Sequence, residues 1–328
     1  MASLPNPDLS LASVSPDLST IREAQKFLQK YFRATPLVKA PSLSRAGAEV
    51  HLKIETGLPT GSFKPRGALY ALATHLKGRK IEEVTASSTG NHGAAVAYAA
   101  KMLSVRATIF LPENANAVKR KKIQDLGARV VETGSADLAQ AFERAQEYSV
   151  RAGVYFLNDA TDPDLPAGPA TIGLEILEQV PEVTAVFVPM GDTALIRGVA
   201  AAIKQLTPQV KIIGVQAAQA PSYYLSWREG KAAPTESCDT CADGLATRTP
   251  TAENVVAIRK LVDDVALVSE EQMIDAIRHL HRQEGVLAEP AGAATTAAWL
   301  GRYGETGRVV LLVSGGNISD QARRRAGL

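Results

Sequence analysis

Apolar residues fall along this chain in short β-branched runs, most of them separated by stretches with helical spacing. Val105-Arg106-Ala107-Thr108-Ile109-Phe110 reads as a strand, followed by a helix through Ile123 that Gly127 closes. Ala128-Arg129-Val130-Val131 is the next strand. Val84-Thr85-Ala86 precedes these, and Val154 to Leu157, Val183 to Val188, Ile212 to Val215 and Val309 to Val313 repeat the theme. Apolar runs bounded by Gly or Pro belong to strands buried on both faces. The pattern therefore predicts an α/β fold with open parallel sheets and flanking helices. Near the amino end, Thr20 with Glu23 three residues later predicts a capping box and a helix to about Phe32. Pro65 can start another helix, running to Leu72, because the first helical position needs no N–H.

With 328 residues, 45% of them hydrophobic, the chain has material for two cores or one large α/β unit and is not disordered. Lys and Arg number 36 against 34 Asp and Glu, a formal charge of +2, and aromatics are 5%. Little is left for gripping nucleic acid. The densest basic run, Lys119-Arg120-Lys121-Lys122, reads as a solvated helix face. Cys238 and Cys241 have no second pair to complete a zinc site and do not open a helix after a strand, so they read as incidental thiols. The first nineteen residues lack Lys and Arg and are broken by Pro5, Pro7 and Pro16, unlike a signal peptide. No apolar run reaches a membrane span. The expectation is a cytoplasmic protein with neither nucleic-acid nor membrane partners.

In parallel sheets, ligands bind where strands end and helices begin. Three such places stand out. After Val84-Thr85-Ala86 comes Ser-Ser-Thr-Gly-Asn-His-Gly-Ala-Ala, Ser87 to Ala95, small and hydroxyl-rich, a cradle for a phosphate or carboxylate. Pro189 to Gly198 makes a second strand-to-helix turn, and Ser314-Gly315-Gly316-Asn317 follows the last strand. Singly, each is also an ordinary cap or turn. Lys64 adds the chemistry. It lies in Thr-Gly-Ser-Phe-Lys-Pro-Arg-Gly-Ala at a helix entrance, where partial desolvation lowers a lysine's pKa and makes its amine a nucleophile for carbonyl groups. A Schiff base is the sharp expectation.

Together these motifs resemble the fold-type II pyridoxal-phosphate enzymes of the serine/threonine dehydratase group. The matching residues are Thr35-Pro36-Leu37, Gly61-Ser62-Phe63-Lys64, Arg66-Gly67-Ala68, Ser88-Thr89-Gly90-Asn91-His92-Gly93, Ala242-Asp243-Gly244, Glu289-Pro290-Ala291-Gly292 and Ser314-Gly315-Gly316-Asn317, in the family's order. The resemblance implies that Lys64 carries pyridoxal 5'-phosphate and removes the Cα proton. Phe63 and Asn91 would flank the ring, and Ser314 would face its nitrogen. The turn Gly191, Asp192, Thr193, Ala194 and Leu195 would hold the phosphate. Ser88, Thr89, Gly90 and His92 would receive the substrate carboxylate, with Thr89 also serving the face opposite the lysine. It further implies a large cofactor-binding domain from residues 20–81 and 159–328, a small domain from 82–158 closing over the substrate, a flexible tail at 1–19, and a homodimer.

The implied reaction is α,β-elimination of water from a β-hydroxy-L-amino acid such as L-threonine or L-serine, giving a 2-keto acid and ammonia. Racemases, β-replacement enzymes and a non-catalytic cofactor binder remain alternatives. Departures from the family pattern sharpen the picture. The phosphate turn, usually four glycines, contains Asp192 and Thr193. Thr89 stands where many relatives have serine, which disfavours racemisation. Gln216 replaces a metal-binding glutamate, so no divalent cation is expected there. The chain stops soon after its last motif, which suits a catabolic or specialised dehydratase without a regulatory domain.

Overall fold

The computed structural model describes residues 15–88, 90–113, 115, 117–134, 138–301 and 304–328. Helix α1, Leu18–Leu28, leads into a short strand β1, Leu37–Lys39, and then β2, Ala48–Ile54. Helix α2, Pro65–Gly78, follows. Strands β3, Glu83–Ser87, β4, Arg106–Leu111, β5, Arg129–Glu132, and β6, Val154–Phe156, alternate with helices α3, Asn91–Met102, α4, Ala117–Asp125, and α5, Leu138–Tyr148. They form a four-stranded parallel sheet in the order β5-β4-β3-β6.

The remaining elements are α6, Ala167–Gln179, β7, Val183–Pro189, α7, Ala194–Leu206, β8, Lys211–Ala217, α8, Ser222–Glu229, α9, Ala252–Leu261, β9, Asp264–Val268, α10, Glu270–Glu284, α11, Pro290–Leu300, β10, Gly307–Val313, and α12, Asp320–Arg325. A six-stranded sheet runs β1-β2-β10-β7-β8-β9, parallel except for β1 against β2. Strand β10 shows why its residues are nearly all apolar. Val309, Leu311 and Val313 pack into the core under α10 and α11, while Val310 and Leu312 pack into the core shared with α6, α7 and α9. Alternate side chains go to opposite faces, and both faces are covered. A further core joins α2 and α3 to β3 and β4.

Some local expectations change. The cap of α1 is Asp17, which accepts from Thr20 N at 2.7 Å, and the helix ends at Leu28, not at Phe32. Asp17 outcompetes Thr20 because its carboxylate reaches the free N–H groups one turn earlier. A capping box is instead formed by Ser269 and Gln272, opening α10. Strands β1 and β2 lack a long apolar run and escape the pattern, β2 carrying His51 and Lys53 in its interior; β9 also escapes, although Val265 to Val268 are apolar.

Candidate active site

Pro65 occupies the first turn of α2, and Lys64 precedes it with helical dihedrals, φ −53° and ψ −34°. The N–H of Phe63 donates to the Ser314 carbonyl at 2.9 Å, and Ser62 bridges Gly315, so the lysine loop is laced to the end of β10. One cavity lies at the carboxyl ends of strands from both sheets. It is lined by Phe63, Lys64, Ser88, Gly90, Asn91 and His92 on one side, and by Gly191 to Leu195 and Ser314 on the other. The structure thus brings together every expected site residue except Thr89, which lies outside the described residues.

Lys64 is not simply desolvated. Its Nζ is in direct contact with the Asp159 carboxylate, and it lies 5.3 Å from the centre of the Phe63 ring. The other Asp159 oxygen is 3.6 Å from His92 Nδ1. His92 Nε2 is 2.9 Å from the Leu157 carbonyl, which can only accept, so Nε2 carries a hydrogen. Burial alone would raise the Asp159 carboxyl. Lys64, and then His92, more than offset it and hold Asp159 below the usual carboxylate range. Asp159 has no place among the expected site residues, although it follows the strand run Val154 to Leu157 almost directly. Its position after a strand is the signal that could have found it.

Asn91, first residue of α3, donates to Glu289 Oε1 at 2.6 Å and accepts from Asn317 Nδ2 at 2.7 Å. Asn317 in turn accepts from Lys122 Nζ at 2.9 Å. The basic run is therefore not one solvated face. Lys121 is exposed and pairs with Asp125, whereas Lys122 turns inward to Asn317 and the Thr60 carbonyl, and burial lowers its pKa.

The turn before α7 answers how its aspartate is tolerated. Asp192 Oδ1 accepts from the Thr247 hydroxyl at 2.9 Å. Burial, and then the charge of Asp159, raise its carboxyl above the ordinary range. Thr193 adopts the left-handed conformation, φ +70°, which β-branched residues rarely take. Its Oγ1 accepts from Arg197 Nε at 3.1 Å. Arg197 is buried and its pKa is pushed down to about 10 by desolvation, while Tyr223, Asp159 and Asp192 oppose that shift. Gly191 is required by close approach: a Cβ there would lie 2.1 Å from the Gly244 carbonyl.

A family profile described as "Pyridoxal-phosphate dependent enzyme" matches residues 28–315. The chain belongs to that family of pyridoxal-phosphate-dependent enzymes. It is 40% identical over 303 residues to an L-threonine ammonia-lyase of Thermotoga maritima, covering 92% of this chain and 75% of the relative. It is 36% identical over 314 residues to the catabolic L-threonine dehydratase TdcB of Staphylococcus aureus, covering 92% and 89%. Among solved structures, a threonine deaminase from T.th. superposes with a TM-score of 0.86 at 33% identity, over 93% of this chain and 99% of that one. Maize serine racemase gives 0.88 at 29% identity, over 96% and 97%.

The residues present fit the cofactor of this family. Lys64 lines the cavity, as do the residues that open α7, whose first N–H groups lack intrahelical partners, and Ser87 Oγ on the wall is buried without a hydrogen-bond partner. Elsewhere, Gln216 is fully buried, and its Oε1 accepts from Tyr224 N at 2.8 Å. Cys238 and Cys241 pack against the core, and burial raises both thiols, Cys241 to about 12, which opposes thiolate chemistry. No helix among the described residues is long and apolar enough to cross a membrane.

Proposed function

We propose that the protein is an ammonia-lyase that removes water from a β-hydroxy-L-amino acid such as L-threonine or L-serine and releases a 2-keto acid and ammonia. The observation that carries this is Lys64 facing Ser88, Asn91, His92 and Ser314 across one cavity, in a chain whose curated relatives are named L-threonine ammonia-lyase and dehydratase. Bound pyridoxal phosphate supplies the electron sink that weakens the Cα–H bond. The chain does the rest. Lys64 carries the cofactor and moves the Cα proton at Nζ. Ser88, Thr89, Gly90 and His92 at the entrance of α3 hold the substrate carboxylate and set its orientation. Phe63 and Asn91 would flank the ring. The N–H groups of Gly191 to Leu195 would hold the phosphate, and Ser314 would lie on the side of the ring nitrogen, where a hydroxyl supports less charge than a carboxylate does.

This function calls for residues 82–158 to close over the substrate as a small domain against the large domain of 20–81 and 159–328. The separate sheet from Glu83 to Phe156 supports that division. A cytoplasmic homodimer completes the proposal, tested by size-exclusion chromatography with light scattering and by cell fractionation.

Two measurements test the function. Borohydride reduction and peptide mapping should place the cofactor on Lys64, and an adduct on another lysine would refute its role. Incubation of L-serine, L-threonine and β-aryl or β-carboxyl analogues in deuterium oxide should release keto acid. The fold likeness to maize serine racemase makes the rival outcome concrete: D-isomer accumulating without keto acid identifies a racemase.

A further inference from the structure

The segment after β6 is held more firmly than a connecting loop requires. Asn158 Oδ1 accepts from Ala160 N at 2.9 Å, a turn closed by its own side chain around Asp159. The Ala160 carbonyl accepts from Arg197 Nη2 at 3.1 Å and from Asn254 Nδ2 at 3.0 Å. Arg197 and Asn254 are both buried. Asp159 is thus pinned by its backbone, and its carboxylate reaches two functional groups at once. One oxygen touches Lys64 Nζ. The other faces His92 Nδ1 at 3.6 Å, and both of those atoms are buried without hydrogen-bond partners. The hydrogen on His92 Nε2 is spent on Leu157, so His92 can donate to Asp159 only through Nδ1, as an imidazolium.

We propose that Asp159 is a positioning residue for Lys64: whenever the lysine nitrogen is free of the cofactor, Asp159 holds it and aims it at the substrate Cα. This rests on the lyase reading only in assigning Lys64 the Cα proton. As that proton leaves, the C–H electron pair stays on the substrate and a new N–H bond forms at Lys64, leaving the nitrogen positively charged. The Asp159 carboxylate is already in place beside that charge, so no group has to reorganise to stabilise it. A lysine has four freely rotating side-chain bonds, and an anchor of fixed position removes most of that freedom before the reaction. The titratable groups facing Asp159 are Lys64, His92, Arg197 and the carboxyl of Asp192. Lys64 Nζ and His92 Nδ1 both lie within 4 Å of its carboxylate.

The test uses the holoenzyme and Asp159→Asn, which keeps the shape and one accepting oxygen but removes the charge. The variant should retain the visible absorbance of bound pyridoxal phosphate. Its kcat and its rate of deuterium incorporation at Cα should fall together, by about 10- to 100-fold, with KM little changed. In Asp159→Ala, added formate should speed the exchange while leaving the wild type unaffected. Wild-type exchange in Asp159→Asn overturns the proposal. So does an Asp159→Ala protein with intact absorbance that formate does not help. Loss of the absorbance in Asp159→Asn at unchanged far-UV dichroism would instead make Asp159 a cofactor-holding residue, and also defeats the proposal. Exchange at Cα precedes the choice between losing water and returning the proton. A wild type that exchanges deuterium but releases no keto acid therefore refutes the lyase reading and leaves the Asp159 measurement valid.

Discussion

Arg66 forks onto Glu55, with Nε 2.8 Å from Oε2 and Nη2 3.0 Å from Oε1, while the guanidinium is only 2% exposed. Glu175 takes the rest of the fork at 2.6 and 3.0 Å and also accepts from Lys53 Nζ at 2.6 Å. Two buried bases thus face two buried acids. Gly168 allows this approach, since a Cβ there would lie 2.2 Å from the Arg66 carbonyl. The cluster anchors the start of α2 two residues after Lys64, so Lys64 stands on a rigid base.

Glu175→Gln leaves two buried cations with one carboxylate and should cost about 3–5 kcal/mol. Chemical denaturation at pH 7 reads the loss, and an unchanged midpoint would show that the cluster contributes nothing net.

The same residue predicts a pH dependence. Burial would raise Glu175, but Arg66 and Lys53 overcome it and hold its folded value low. A lowered folded pKa gives stability that is complete above the unfolded carboxylate value of about 4.3 and is lost as pH falls through the folded value. Between pH 5 and pH 3 the wild type should therefore lose stability faster than Glu175→Gln. Parallel acid limbs would contradict the assignment.

Thr193 holds a glycine-like conformation, so its substitutions should follow backbone geometry. Thr193→Ala keeps the left-handed strain and loses the hydroxyl that accepts from Arg197. Thr193→Gly loses the same contact but relieves the strain, and should be the more stable of the two by roughly 1 kcal/mol. Thermal melts in parallel decide it, and alanine equal to glycine would remove the strain argument. Proline is not a usable probe here, because its φ is locked near −65°.

Asp192→Asn keeps an oxygen for the Thr247 hydroxyl and removes a negative charge from the turn proposed to hold the phosphate. Pyridoxal phosphate should bind roughly tenfold tighter. Because the wild-type carboxyl titrates above the ordinary range, the two proteins should converge at acidic pH, and the gain should grow as pH rises through that titration. Equilibrium dialysis from pH 5 to pH 8 measures it; a pH-independent ratio, or weaker binding, would show that Asp192 does not face the phosphate.

Dialysis against a chelator should leave turnover intact, since the Gln216 oxygen is committed to Tyr224 N. His75, Asp162 and Asp164 offer a compact set of ligand atoms, but the Tyr155 hydroxyl and the N–H groups of Asp164 and Leu165 already use Asp162. Elemental analysis should find no stoichiometric metal. Activity lost to the chelator and restored by magnesium or calcium would overturn this.

The sequence by itself determined the parallel α/β architecture, because strands buried on both faces must be apolar throughout and Gly or Pro must bound them. It also marked Lys64, the α3 entrance, the turn before α7 and Ser314, which line one cavity, since each sits where a strand ends or a helix begins and carries a local chemical signature. Strands β1 and β2 were not legible, because partners across the sheet rather than their own composition make them strands; the apolar run of β9, Val265 to Val268, was legible but passed over. Tertiary structure alone decided which charges meet. The contact of Lys64 with Asp159 joins residues 95 apart in the chain, and Lys122 leaves its basic run to reach Asn317, 195 residues away. Neither pairing is written in a local pattern, because a charge is given its partner by the packing of whole elements, and burial then sets how strongly the two interact.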